Sequence, residues 1–239
     1  MQDYNSNNNN KVNANTRLIC LVVVLVVAFA GSIYGSIYSY INGTHDYSVK
    51  AGNEIILVGI IFEAISLAVL YFVLSNQERN LKSIGFSFKW SDIPLSVAIV
   101  IFSYIIFVIA NISFHKIYFF INGHEFNKIE FKNPYIQSGL TIFSLMLVLI
   151  NPFYEELIVR AYTITELMDL TNSKFIAIFF SSILQSLYHL YQGGASAFSL
   201  FLLFTFNSIY FAKTKRIWPL ILAHLYFDLL ALLYYSARK

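Results

Sequence analysis

Six ionisable side chains in the last third of the chain are of the types that hydrolyse peptide bonds. They occupy three apolar segments: Glu155, Glu156 and Arg160 in NPFYEELIVRAY, His189 in ILQSLYHLYQGG, and His224 and Asp228 in WPLILAHLYFDLL. A carboxylate in an apolar pocket can act as a general base toward water. A histidine can position that water, stabilise the oxyanion or protonate the leaving amine. The sequence therefore predicts a hydrolytic site, if the fold brings the three segments together.

The same residue types also fit a zinc site, and the residues alone leave that alternative open. One glutamate and two histidines form a ligand set that keeps a fourth position for water. The HExxH signature of soluble zinc proteases is absent from the sequence. The GxSxG elbow of serine hydrolases is absent as well. The chain therefore fits neither of these two soluble enzyme classes.

Helical spacing sorts the six side chains by direction. Glu156 and Arg160 are four residues apart, so that they share a helix face and can form an ion pair. Glu155 is rotated by about 100° from Glu156 and can point elsewhere. His224 and Asp228 share one face of the last helix. Each pair alone could be structural, whereas their occurrence together in three apolar segments favours chemistry.

Apolar segments that are long enough to span a membrane must position these residues. Of the 239 residues, 57% are hydrophobic and 12% are charged, whereas a soluble domain has about 25% charged residues. A spanning helix needs about 20 mostly apolar residues. The sequence predicts seven such segments, at 18–41, 55–75, 93–113, 136–151, 175–191, 195–211 and 217–235. A further amphipathic helix is predicted at 154–170, after Pro152. We expect an all-α, polytopic transmembrane helix bundle of about seven or eight helices, with the catalytic cavity inside it.

Positive charge in short loops predicts the orientation of this bundle. Lys and Arg are concentrated before the first span, at 76–92 and at 212–216, and seven spans place all three on one side. That side should be cytoplasmic, so that we expect a multi-pass protein of the plasma membrane with a cytoplasmic N-terminus. Residues 1–16 are polar and rich in Asn, and we expect them to be disordered. The net charge of +3 is scattered, which argues against a nucleic-acid partner.

The three motifs resemble those of the CAAX protease and bacteriocin-processing family of intramembrane endopeptidases. EELIVR fits the EExxxR motif, His189 fits the histidine of the FxxxH motif, and His224 with Asp228 fits HxxxN or HxxxD. The motifs of the eukaryotic Ras-converting CAAX endopeptidase are similar. The resemblance covers roughly residues 80–235. It divides the chain into three regions, which are a tail at 1–16, N-terminal transmembrane helices at 17–80 and a catalytic core at 81–239.

The resemblance implies a role for each of the six side chains. Glu155 would activate water, and Arg160 would hold Glu156 in place. The two histidines would position water or stabilise the oxyanion, with Asp228 assisting from the helix of His224. The implied substrate is a membrane-associated peptide or protein, cleaved at the lipid bilayer. The short length, the minimal loops and a composition rich in Asn, Ile, Lys and Phe indicate a bacterial chain. The family is often labelled metalloprotease. We expect a glutamate-based mechanism that requires no cofactor, with a divalent metal such as zinc as the alternative, and the oligomeric state stays open.

Two further residues lie outside this pattern. Gln185 stands four residues before His189, where the family usually has Phe, and it could hydrogen-bond His189. Glu63 lies in the middle of the second span without a motif around it, and we interpret it as a structural partner, for example of Arg160. Gln185 lends some support to an alternative function, a non-catalytic immunity or scaffold protein of the same fold. A proton-coupled transporter is a weaker alternative, because no inverted repeat is evident.

Overall fold

The protein is an all-helical bundle. The computed structural model describes residues 13–43, 52–126 and 139–237, and in these ranges the regular secondary structure is helical, with no strand. The predicted all-α class is confirmed. The predicted disordered tail lies outside the described residues up to residue 12, but its last part was wrong, because residues 14–16 form the first turn of α1. The described ranges contain α1 (Ala14–Asn42), α2 (Asn53–Asn76), α3 (Asp92–Asn122), α4 (Ile142–Glu155), α5 (Thr163–Thr171), α6 (Lys174–Tyr188), α7 (Gly194–Thr214) and α8 (Trp218–Ala237).

The fourth predicted span and the predicted amphipathic helix are one continuous helix. Helix α4 leads into a π-helical segment, Glu156–Tyr162, and this segment leads into α5. The prediction of a separate helix after Pro152 was wrong, because Pro152 lies inside α4 and not at a helix start. A proline inside a helix removes one backbone donor and crowds the preceding turn. The chain changes to π-helical geometry one turn after this proline.

Side-chain hydroxyls satisfy carbonyl groups of the π segment. The hydroxyl of Ser181 on α6 donates to the carbonyl oxygen of Val159 at 2.8 Å. The hydroxyl of Thr163 donates to the carbonyl oxygen of Ile158 at 2.7 Å. A buried backbone carbonyl without a partner is costly inside an apolar bundle. These two hydroxyls therefore help to hold a helical geometry that is rare and is often found at functional sites.

The outer surface of the bundle is apolar. Large aliphatic and aromatic side chains point outward, as Val58 does with 65% of its surface exposed and Phe72 with 67%. All seven residues of the π segment are buried instead. Among the described residues, six helices are long and apolar enough to cross a membrane, and α6 is shorter with 15 residues. The protein is therefore a multi-pass membrane protein.

Two helix ends differ from the prediction. Helix α3 continues to Asn122, so that much of the predicted loop after residue 113 is helical. Helix α6 ends at Tyr188, because His189 leaves the helical conformation with φ −102° and ψ 2°. A short 3-10 helix, Leu190–Gln192, follows, and Gly193 then adopts φ 91°, which a glycine accepts without strain. His189 thus lies at the end of a helix and beside a turn.

The first two helices pack against the central helix. The hydroxyl of Tyr154 on α4 donates to the carbonyl oxygen of Ala28 on α1. The ring of Phe29 stacks on the ring of Tyr188, with 4.9 Å between the centroids. Helix α2 packs along α4. The N-terminal helices therefore support the segment that carries the EExxxR motif, and the division of the chain at residue 80 stays a prediction.

The three basic segments of the sequence meet at one end of the bundle. Arg17 at the start of α1, Arg79 after α2 and Lys215 after α7 line the same pocket. In the described residues α4, the π segment and α5 count as one helix, which leaves seven helices that alternate in direction. Each of the three basic segments therefore adjoins the same end. The cytoplasmic location of this end stays a prediction.

A fully buried carboxylate anchors α5, the last part of the continuous helix that begins with α4, at this end of the bundle. Glu166 on α5 accepts hydrogen bonds from Nε of Arg17 at 2.8 Å and from Arg79, and its side chain has no exposed surface. Arg17 also pairs with Asp169 at 2.8 Å, and the Asp169 side chain is 51% exposed. Two carboxylates on one helix therefore bind the same arginine, one in the interior and one at the surface.

Glu166→Gln should destabilise the protein far more than Asp169→Asn. Loss of one partner from a buried ion pair costs about 3–5 kcal/mol, whereas an exposed pair contributes about 0–1 kcal/mol. Both variants remove one charge from the same helix, so that Asp169→Asn is the matched control. Thermal unfolding of the purified protein in detergent micelles measures the difference. Equal shifts in melting temperature for the two variants would contradict the assignment of Glu166 as the buried anchor.

Candidate active site

The first glutamate of the EExxxR motif is buried at the end of α4 and faces α6. Glu155 is 6% exposed, and its Oε2 accepts hydrogen bonds from the hydroxyl of Tyr188 at 2.8 Å and from Nε2 of Gln185 at 2.9 Å. Nε2 of His189 lies 3.9 Å from the same oxygen. This separation is too long for a direct hydrogen bond and short enough for one bridging water molecule.

The second glutamate forms an ion pair with the arginine of the motif. Nη1 of Arg160 donates to Oε1 of Glu156, and both side chains are buried. Nη2 of Arg160 donates to Oε1 of Gln185 at 2.5 Å. The guanidinium lies over the ring of Phe204, 5.4 Å from its centroid. The positive charge therefore has an anion, an amide oxygen and an aromatic face around it.

Gln185 bridges Glu155 and Arg160 and does not contact His189. The expected hydrogen bond to His189 was wrong, because two charged partners on the π segment and α4 bind the amide instead. Its oxygen accepts from Arg160 and its nitrogen donates to Glu155. Nδ1 of His189 lies 3.0 Å from Nε2 of Gln192 in the following turn. A phenylalanine at position 185 could make neither of the two bonds of the amide.

The motif on the last helix meets the second glutamate. Nδ1 of His224 lies 3.0 Å from Oε1 of Glu156. Nε2 of His224 lies 3.6 Å from Oδ2 of Asp228, one turn along α8. The side chains of this histidine and aspartate are 20% and 24% exposed. This part of the site is therefore more open than the Glu155 side chain, which is 8% exposed.

The structure brings together all six residues that the sequence analysis singled out. One continuous series of polar contacts of 3.9 Å or less joins three helices through the central π segment. The series runs through His189, Glu155, Gln185, Arg160, Glu156, His224 and Asp228. The individual roles of these residues stay predictions.

Residues 137–230 match the family model described as type II CAAX prenyl endopeptidase Rce1-like. This range includes every residue of the polar series. This segment is similar to the CAAX prenyl endopeptidases. The resemblance inferred from the three motifs is thereby confirmed for the segment, which is narrower than the predicted 80–235. No curated protein and no solved structure matches the chain.

Polar residues outside the family motifs also contact Glu155, the glutamate that the resemblance predicts to be catalytic. Nδ2 of Asn151 donates to Oε1 of Glu63 at 3.0 Å and lies 3.4 Å from Oε1 of Glu155. Glu63 is therefore not a partner of Arg160 as expected, because α2 packs along α4 and places this carboxylate beside Asn151. The spacing of four residues between Asn151 and Glu155 could have indicated their contact. For Tyr188 the sequence carries no comparable signal.

The metal site that the endopeptidase family label suggests is not formed by the described residues. Among them, no three His, Cys, Asp or Glu side chains converge as metal ligands do. Nδ1 of His224 is committed to Glu156, and Oε2 of Glu155 accepts from an amide and a phenol. Nδ1 of His224 therefore has a partner within the protein, whereas Oε2 of Glu156 has no hydrogen-bond partner among the described residues.

Proposed function

We propose that this chain is an intramembrane endopeptidase in which Glu155 activates the attacking water. The observation that carries the proposal is the 3.9 Å separation between Oε2 of Glu155 and Nε2 of His189. A water molecule between these atoms can donate a proton to the carboxylate and accept a hydrogen bond from the imidazole. The hydrogen bonds from Tyr188 and Gln185 hold the carboxylate in one orientation. A general base in fixed geometry contributes about 10²–10⁴-fold to the rate.

The reaction follows from this placement. Glu155 removes a proton from the water while the oxygen attacks the carbonyl carbon of the scissile peptide bond. The carbonyl oxygen becomes an oxyanion, and an imidazole N–H of His189 or His224 donates a hydrogen bond to it. The carbon–nitrogen bond then breaks, and the protonated Glu155 returns its proton to the leaving amine. Glu156 positions His224, because its Oε1 accepts a hydrogen bond from Nδ1 of the imidazole at 3.0 Å.

A cleft lies beside the His189 turn, and we propose that the substrate enters through it. It has a volume of about 710 Å³ and is lined by Asn111 and His115 from α3 and by Gln192. Gln192 also contacts Nδ1 of His189, so that the cleft and the active site share one side chain. The proposed substrate is a membrane-associated peptide or protein. The proposed location is the plasma membrane of a bacterial cell, with the N-terminus in the cytoplasm.

Glu155→Gln should abolish cleavage, because an amide cannot accept the proton of the attacking water. We expect a loss of about 10²–10⁴-fold in kcat. Purified protein in liposomes is incubated with membrane-inserting peptides, some of which carry a prenylated C-terminal CAAX sequence, and mass spectrometry detects the products. Glu63→Gln is the matched control, because its amide oxygen still accepts from Asn151. A non-catalytic immunity or scaffold protein predicts instead that Glu155→Gln retains full biological activity.

Tyr188→Phe should lower kcat by about tenfold, since one hydrogen bond to a charged group contributes about 1.5–3 kcal/mol. Tyr154→Phe is the matched control. It also removes one buried phenolic hydroxyl, but that hydroxyl bonds the carbonyl oxygen of Ala28 and not a carboxylate. The same proteoliposome assay compares the two variants, with melting temperatures recorded in parallel. Equal losses of kcat in both would show that the phenol of Tyr188 acts through stability alone.

We propose that hydrolysis requires no metal. Cleavage should therefore persist after treatment with a chelator, and the purified protein should contain less than one divalent metal ion per chain. Elemental analysis before and after chelation measures both quantities. A stoichiometric zinc that disappears in His224→Ala together with activity would replace this proposal by a zinc-dependent mechanism.

A further inference from the structure

A strongly basic pocket lies at the end of the bundle where the three basic segments meet. Its volume is about 1000 Å³. One carboxylate, Asp169, is among its lining residues. Its cationic lining residues come from α1, the α2–α3 connection and the α7–α8 connection, and they are Arg17, Arg79, Lys82, Lys89, Lys215 and Arg216.

The arginines of this pocket are neutralised, whereas its lysines are not. Arg17 and Arg79 pair with Glu166, and Arg216 pairs with Asp92. Lys82, Lys89 and Lys215 form no ion pair with any carboxylate in the part of the chain that the structure describes. The nearest polar partner of the Lys215 ammonium is the Thr165 hydroxyl at 3.4 Å. Three positive charges therefore face one pocket without a compensating anion from the described residues.

The two connections that carry these lysines are locked together. Gly85 has φ 90°, and a Cβ at this position would lie 2.3 Å from the carbonyl oxygen of Lys215. The amide of Ile217 donates to the carbonyl oxygen of Gly85 at 3.4 Å. Lys82 lies in the 3-10 helix Leu81–Ile84, directly before this contact. The backbone therefore holds like charges near one another, at a Coulombic cost that a bound anion would offset.

Aromatic side chains place the pocket at the level of lipid headgroups. Trp90 follows Lys89 and is 81% exposed. The ring of Phe88 contacts the ring of Trp218 at the start of α8, with 5.3 Å between the centroids. Exposed tryptophan at the end of membrane-spanning helices is typical of the interface between hydrocarbon and water. The pocket is therefore expected to lie at the level of the membrane phosphates.

We propose that the pocket binds the phosphate of an anionic phospholipid headgroup through Lys82, Lys89 and Lys215. Basic pockets between membrane-spanning helices are suited to such headgroups. The site is separate from the Glu155 site and does not depend on the proposed peptidase activity. The bound lipid would connect the α2–α3 and α7–α8 connections to the end of α5, where Glu166 and Asp169 lie.

The test measures binding of phosphatidylglycerol to the full-length protein. The purified chain in micelles of a zwitterionic detergent is titrated with phosphatidylglycerol, with phosphatidylcholine or with inorganic phosphate, and native mass spectrometry counts the bound ligand. Phosphatidylglycerol should bind in preference to phosphatidylcholine, and inorganic phosphate should not displace it at equal concentration. The double variant Lys82→Gln/Lys89→Gln should weaken phosphatidylglycerol binding by roughly tenfold or more.

The matched control is Lys174→Gln/Lys213→Gln. It removes the same charge from two exposed lysines at the same end of the bundle, neither of which lines the pocket. This control should lose clearly less phosphatidylglycerol affinity than the pocket variant, because neither lysine lines the pocket, although the charge of Lys174 acts on Lys215. Equal losses in the two double variants would reduce the effect to general surface charge and overturn the proposal. Displacement by inorganic phosphate, or equal binding of phosphatidylcholine, would overturn it as well.

Discussion

The arrangement of the candidate active site depends on the burial of one guanidinium. Arg160 has no exposed surface, and a charge in an apolar interior is tolerated only when protein groups replace its water. Glu156 supplies the anion and Gln185 supplies an amide oxygen. Once these two residues are bound to Arg160, the amide nitrogen of Gln185 is directed to Glu155. One buried charge therefore fixes the position of both glutamates.

This constraint also accounts for the departure at position 185. A glutamine is suited to a place between a guanidinium and a carboxylate, because its amide both accepts and donates. In this chain the substitution adds two polar contacts to the buried network, whereas the usual phenylalanine offers only packing. Gln185 is thus part of the polar network, and its presence does not indicate that this network has been lost. Compared with a phenylalanine, the glutamine at position 185 gives Glu155 an oriented hydrogen-bond donor in place of an apolar neighbour.

Much of the fold and of the site could be predicted from the sequence. The apolar segments and their spacing predicted most of the helices. The three motifs predicted six site residues, and the fold brings these residues together. The continuity of α4, the π segment and α5 could not be predicted, because proline, here Pro152, is common at helix starts. The π geometry also depends on hydroxyls from elsewhere in the fold, such as that of Ser181. The position of Glu63 beside Asn151 follows from the packing of α2 on α4. Which helices pack against each other cannot be predicted from the pattern of a single sequence.

The shortness of α6 has a consequence for the surrounding membrane. Its 15 residues extend about 22 Å at 1.5 Å per residue, whereas the hydrocarbon core of a bilayer is about 30 Å thick. The N–H groups of the turn that follows are bonded within the protein, as that of Tyr191 is to the hydroxyl of Ser36 at 2.8 Å. A helix shorter than the hydrocarbon core is accommodated by packing against its neighbours or by local thinning of the bilayer. Thinning of the bilayer on this side would bring solvent closer to His189, so that membrane thickness would determine how far this histidine lies from bulk water.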